Sequence, residues 1–343
     1  MTRIAKYTKV VIINCIILLI IFFCLELSFR VYSKIIGKSP SDGWVIDDDK
    51  YGWVHNVNFT GRISKNKCDE DVLMKTPPHR LIIKFPKYQK AEITVLFIGD
   101  SFTHAHEVST GKAYYDAFEE LGEGKYRVFA AAVGGFGTLQ EFMILEEVYE
   151  NIRPDYVIWQ MCYNDFNNNV FELDKASFFN TQRKRPYYDL KTGKRYIDNP
   201  GFWPLGLSHG LQYVFVRVVA FDLEYKTGLL KWLDSFIKIE QKKRAEYDEM
   251  GFNVAETLIQ NAIEKYPKTK FIGFAVNNLY NEKFEQIFIN NGANYWEKFG
   301  KFMNDHENTN CLPLDDHWNH YGNVVAGKKL FELFTKLTEN DKQ

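Results

Sequence analysis

Ser101 closes a Gly99-Asp100-Ser101 tripeptide, and His317 sits far downstream inside Asp315-Asp316-His317-Trp318-Asn319. A serine hydroxyl is a weak nucleophile until a base accepts its proton. Histidine suits that work near neutral pH, and a carboxylate beside it fixes its tautomer and stabilises its charged form. Asp315 is the better orienter, because side chains two apart in an extended segment point the same way. Asp316 then points away. His320 is a weaker base, with no carboxylate two or three residues before it. Both stretches also have plainer roles. Gly-Asp-Ser fits a helix N-cap, and the aspartate-histidine stretch fits a polar loop before a helix.

Two further groups lie between these ends. Gly134-Gly135-Phe136-Gly137 can bring a backbone N–H close to a ligand, which suits an oxyanion. Tyr163-Asn164-Asp165 offers a side-chain amide that can donate to the same charge. Taken singly, the glycines fit a strand-to-helix loop, and Asn164 fits a turn or cap. His104 and His106 form a His-x-His pair without an apparent third metal ligand, so they read as cleft lining or local packing.

These groups act together only if the chain gathers them. Residues 93–98 form a short apolar run rich in β-branched residues, which predicts a strand. Residues 126–133, 156–161 and 271–276 predict three more. Residues 114–121 and 139–149 read as helices between them, and another starts near Val324. Alternating strands and helices imply an α/β domain with a central parallel sheet and right-handed crossovers. Sites in such sheets lie at the carboxyl ends of strands. The Ser101, Gly135 and Asn164 groups each follow a predicted strand.

The alternation is interrupted over residues 166–255. Residues 187–197 read as a hairpin and 211–244 as helical. A lid or partner-binding insertion and a solvated excursion fit equally well. Residues 31–91 carry several breakers and read as a stalk followed by short irregular strands. The domain proper is expected over 92–340.

Residues 10–25 carry no charge, and with the next four they reach the roughly 20 residues that span a bilayer. No small-residue cleavage site follows, so 1–30 reads as a short tail and a retained transmembrane helix. Arg3, Lys6 and Lys9 precede it and Arg30, Lys34 and Lys38 follow, which nearly balances the charge rule. The short first tail favours the N-terminus inside and the domain facing the periplasm or exterior.

The chain has 343 residues, 45% hydrophobic and 25% charged, enough to bury a full core. A net charge of −1 gives no bulk pull toward nucleic acid. The five cysteines follow no zinc spacing. Cys68 and Cys311 can pair in an exported domain, and free buried thiols fit as well.

In combination the four groups resemble the SGNH (GDSL-type) hydrolases, which supply Ser, Gly, Asn and His in that chain order. The resemblance covers roughly residues 92–165 and 311–335. It implies Ser101 as nucleophile, His317 as base and Asp315 as its carboxylate. It implies an oxyanion hole from Ser101, Gly135 and Asn164, with Gly134 the one-residue alternative to Gly135. It implies a flavodoxin-like fold and no cofactor. Two departures stand out: Cys162 takes the place of a glycine in the third block, and Asp315 precedes His317 by two positions rather than three. That spacing, with Trp318 next, is similar to SGNH-like domains of alginate-type O-acetyltransferases.

Three functions follow as expectations. The first is a membrane-anchored enzyme acting on ester-linked acyl groups, with cell-envelope glycans as one candidate source, as an esterase or as an O-acyltransferase with the same triad. The second is a non-catalytic membrane-tethered binding protein. The third, a nucleotide binder using 134–137, lacks the Lys-Ser/Thr of a phosphate loop.

Overall fold

The computed structural model describes residues 12–14, 16–17, 20–28, 31, 43–63, 72–177, 183–200, 241–312 and 315–340. Side chains are described for these except at 241, 242, 312, 315 and 316. The chain divides into two compact units, residues 1–39 with 201–236, and residues 40–200 with 237–343. All that follows on strands and site concerns the second unit.

Its centre is a six-stranded sheet ordered β12-β11-β8-β6-β7-β5. The members are β5 (Ile82–Lys84), β6 (Ile93–Gly99), β7 (Tyr126–Ala132), β8 (Tyr156–Met161), β11 (Lys270–Ala275) and β12 (Asn294–Tyr295). Five strands run parallel, in the order that doubly wound flavodoxin-type sheets adopt. The sheet is nevertheless mixed, not wholly parallel as expected. β5 pairs antiparallel with β7, because it arrives from an upstream loop and not from a crossover helix. Residues 31–91 carry the short strands expected of them, and one of these joins the central sheet. From Trp44 onward the described residues form three short strand pairings, β1 (Val45–Asp48) with β2 (Gly52–His55), β3 (Thr60–Ile63) with β4 (Val72–Lys75), and β5 at the sheet edge.

Strand β6 explains the layering. Leu96 and Ile98 face one core with α3 (Thr138–Ile152) and α6 (Gln241–Lys265). Val95 and Phe97 face another with α2 (Tyr114–Leu121) and α9 (His320–Asn340). A strand buried on both faces reads as a continuous apolar run, and 93–98 is one. Gly327 lets α9 close onto α2, since a Cβ there would meet the Tyr114 carbonyl and lie 2.7 Å from Ala117 Cβ.

Two boundaries differ from expectation. The last helix begins at His320, not near Val324, because Asn319 Oδ1 accepts the Gly322 N–H at 2.8 Å and caps it there. The stretch 166–255 is not wholly an excursion. Phe166, Val254 and Ala255 are core residues, and α6 is the crossover helix between β8 and β11. The hairpin within that stretch is β9 (Arg185–Asp189) with β10 (Lys194–Asp198). The helix expected over 211–244 lies mostly outside the described residues, as does part of the apolar run 10–25. Residues 20–28, at the end of that run and just past it, are helical. Among the described residues no helix is long and apolar enough to cross a membrane.

Candidate active site

The carboxyl ends of β6, β7 and β8 lie side by side, with Gly99 opposite Ala132 and Ile98 opposite Trp159. Three loops leave that edge. The first makes α1 (Ser101–His104) directly after Asp100, whose Oδ1 accepts the Phe102 N–H at 3.2 Å. The turn is tight at Gly99, where a Cβ would collide with Gln160 Oε1 and Thr103 Oγ1. Gln160 Oε1 also accepts from the Thr103 N–H and hydroxyl, at 3.2 and 2.9 Å. Ser101 is thus held at the start of a one-turn helix that is itself anchored to the neighbouring strand.

His317 reaches it from a separate element. Strand β14 (Asp315–Trp318) pairs antiparallel with β13 (Asn310–Leu312). His317 Nε2 lies 2.7 Å from Ser101 Oγ, a hydrogen bond the hydroxyl donates when Nδ1 carries the ring proton. Phe102 stacks on the imidazole, with ring centroids 4.7 Å apart. On the far side of the ring, Nδ1 lies 3.7 Å from Glu107 Oε1. Asp315 is described by its backbone, opposite Leu312, and its side chain lies outside the described set.

The other two groups converge on the same turn. Asn164 opens α4 (Asn164–Asn168) after β8, and its Nδ2 donates to Asp100 Oδ2 at 3.1 Å. The Ser101 hydroxyl lies 3.3 Å from that same oxygen. Gly134 is against the serine, since a Cβ on it would sit 3.8 Å from Ser101 Cβ. Its N–H, however, is donated to His104 Nδ1 at 3.0 Å. Gly135 has φ +79°, a conformation that favours glycine, and among the described residues nothing accepts its N–H. Of the two glycines, Gly135 is therefore the one with an amide to offer. Cys162 is buried and its N–H donates to Asp165 Oδ2 at 2.8 Å, so the loop forms without a glycine there.

Burial sets the charge states around the turn. It pushes the Asp100 carboxyl up, while His317 and Asn164 pull it back. Burial holds His104 far below the usual imidazole range, and His55, beside it at 4.5 Å between centroids, down to about 3. A neutral His104 is what its acceptor role toward Gly134 requires. Burial also raises Glu107, but His106 and His317 outweigh it and hold that carboxylate below the usual range.

His104 and His106 pack against Trp44, at 4.7 and 5.7 Å between centroids. Among the described residues no group of three or more His, Cys, Asp or Glu is arranged to hold a metal ion. A cavity of about 600 Å³ opens beside the turn, lined by Met74, Phe85, Ala105, Val108 and Tyr115 among others. Ser101 and His317 do not line it.

Gln160 and Glu107 were not singled out by sequence reasoning. Gln160 hides inside an apolar strand. Glu107 directly follows the His-x-His pair, and a histidine-carboxylate run just after Gly-Asp-Ser was the available signal.

No protein-family model matches the chain, and no curated protein matches it. Among solved structures, the psychrotrophic esterase EstA from a Pseudoalteromonas species is similar at 10% identity and TM-score 0.39, over 72% of this chain and 100% of that one. The acetyl xylan esterase AlAXEase is similar at 15% and 0.38, over 70% and 99%. A putative lipolytic protein of the G-D-S-L family from Desulfitobacterium hafniense DCB-2 is similar at 9% and 0.38, over 70% and 99%. Likeness at this level assigns neither fold nor activity.

Proposed function

We propose that this protein is an SGNH-type serine esterase acting on ester-linked acyl groups. One observation carries the reading: Ser101 Oγ and His317 Nε2, from opposite ends of the domain, lie 2.7 Å apart at the carboxyl edge of the sheet. Ser101 Oγ attacks the ester carbonyl carbon while its proton passes to His317. The Ser101 and Gly135 N–H groups and the Asn164 amide stabilise the resulting oxyanion. His317 returns the proton to the departing alkoxide, leaving an acyl-serine. Water, activated by His317, releases the acid and frees the serine. Asp315, two residues before the base, is its carboxylate partner in this reading.

A hydroxyl in place of water turns the same cycle into O-acyl transfer, and cell-envelope glycans are the acceptors we favour. That preference rests on the apolar segment 10–25 as a single transmembrane anchor with the domain outside. Its described part exposes Ile12, Ile16, Ile20 and Phe23. Cys311 is disulfide-bonded, which fits an oxidising compartment, and its partner lies outside the described residues.

The test is labelling of the full chain with a fluorophosphonate, followed by acetyl-ester release with and without a glycan acceptor. Wild type labels and cleaves; Ser101→Ala does neither. Labelling that persists in Ser101→Ala sinks the assignment. Acetate release that falls as acylated glycan appears marks the transferase, and unlabelled wild type marks a binding protein.

A further inference from the structure

We propose that Glu107 is a positioning residue for His317, its carboxylate facing Nδ1 while Ser101 occupies Nε2. The proposal rests on the esterase reading, in which His317 must gain and lose a proton at Nε2. A general base that accepts there needs its ring proton held on Nδ1 and its transient positive charge stabilised.

Glu107 has the placement for both. It is 4% exposed, and Oε1 lies 3.7 Å from His317 Nδ1 and 2.9 Å from His106 Nε2. A carboxylate removed from water this fully is retained only with partners, and the two imidazoles are such partners. The backbone is bent to bring it there. Ala105 caps α1 with φ +52°, ψ +45°, a left-handed conformation that a Cβ disfavours. That residue turns the chain back so that 106 and 107 pass beside the strand carrying His317. Strain of this kind persists where the surroundings enforce it, and here it places a carboxylate against the base.

Other charges near His317 have different stations. Asp100 lies beyond the serine, where it accepts from Asn164 and sits 3.3 Å from the Ser101 hydroxyl. The His106 ring is 5.9 Å from that of His317, between centroids. His104 is engaged with Gly134. Asp315 lies on the base's own strand. Glu107 is the carboxylate that approaches Nδ1 from outside that strand, so it adds to Asp315 rather than replacing it.

Glu107→Gln keeps the shape and removes the charge. The expected result is a kcat for p-nitrophenyl acetate lower by about tenfold or more at pH 7, and an acid limb of kcat/KM moved to lower pH. Glu107→Asp keeps the charge but withdraws it, and falls between the two. A purely structural role would scale the rate without moving the limb, so an unmoved limb in Glu107→Gln overturns the proposal. If that variant does not fold, an unmoved limb in Glu107→Asp overturns it equally. If the wild type neither labels nor cleaves, the esterase reading fails separately. The imidazole titration of His317, followed by NMR and identified by its loss in His317→Asn, still decides the pairing. A lower midpoint in the Glu107 variant supports it, and the same midpoint defeats it.

Discussion

Gln160 Oε1, on the strand beside the one that leads into Ser101, accepts the Asp100 N–H at 3.1 Å. The same oxygen takes both donors of Thr103, so one buried amide fixes the residues on either side of Ser101. Gly99 leaves the space this oxygen occupies. Gly99→Ala should push Gln160 and Thr103 apart and cost about 1–3 kcal/mol in urea unfolding. Gln160→Leu should leave those donors unpaired and cost a similar amount. Ester cleavage should fall in both, and unchanged rates would show that the turn needs no such anchor.

Asn164 should matter for rate more than for stability. It is half-buried, and one N–H of its amide is spent on Asp100, leaving the other for an oxyanion. Asn164→Ala should lower kcat on the order of 10²–10³-fold with little change in KM. A loss confined to KM would place the amide in ground-state binding instead.

Stability should fall as the solution is acidified from neutrality. His55 is held down to about 3 in the fold and His104 well below its usual range, both by burial. The unfolded chain protonates them near pH 6.5 while the folded one does not. Their neutral forms therefore support the fold above about pH 6.5, and the support is lost as pH drops toward 3. Each contributes a slope of about 1.4 kcal/mol per pH unit in that window. Urea melts at pH 7 and pH 5 check this, and His55→Phe should reduce the slope by about one proton.

A buried ion pair fixes the hairpin after the site. Arg185 Nε lies 2.9 Å from Asp174 Oδ2, and both side chains are almost wholly buried. Tyr187 donates to the same carboxylate at 2.8 Å. Arg185→Ala strands that charge and should cost about 3–5 kcal/mol. Adding Asp174→Asn should recover much of the loss in thermal melting. No recovery would mean that Arg185 acts mainly through its packing on Trp53, 5.1 Å from the ring.

The sheet was legible because its strands are buried on both faces, which writes 93–98 and 156–161 as largely apolar runs, interrupted by Thr94 and Gln160. The residues at the strand tips were legible because Ser101, Gly135 and Asn164 stand just past such runs, while His317 was legible from the aspartates beside it. Strand β5 was not, since Ile82 to Lys84 is too short for a pattern and its pairing partner lies over forty residues on. Val254 and Ala255 were misassigned because α6 mixes charged and apolar residues, and only packing shows which face is core. Glu107 was missed because its approach to His317 depends on the αL turn at Ala105, and alanine gives no signal for that conformation.

Cys311 lies in β13, whose partner strand bears His317. A covalent tie there restrains the ribbon that delivers the imidazole, at some remove from the serine's own sheet. Dithiothreitol during purification would slacken that ribbon while leaving Ser101 and its supports intact. Such a sample would melt as a folded domain yet hydrolyse poorly, and air oxidation would restore it.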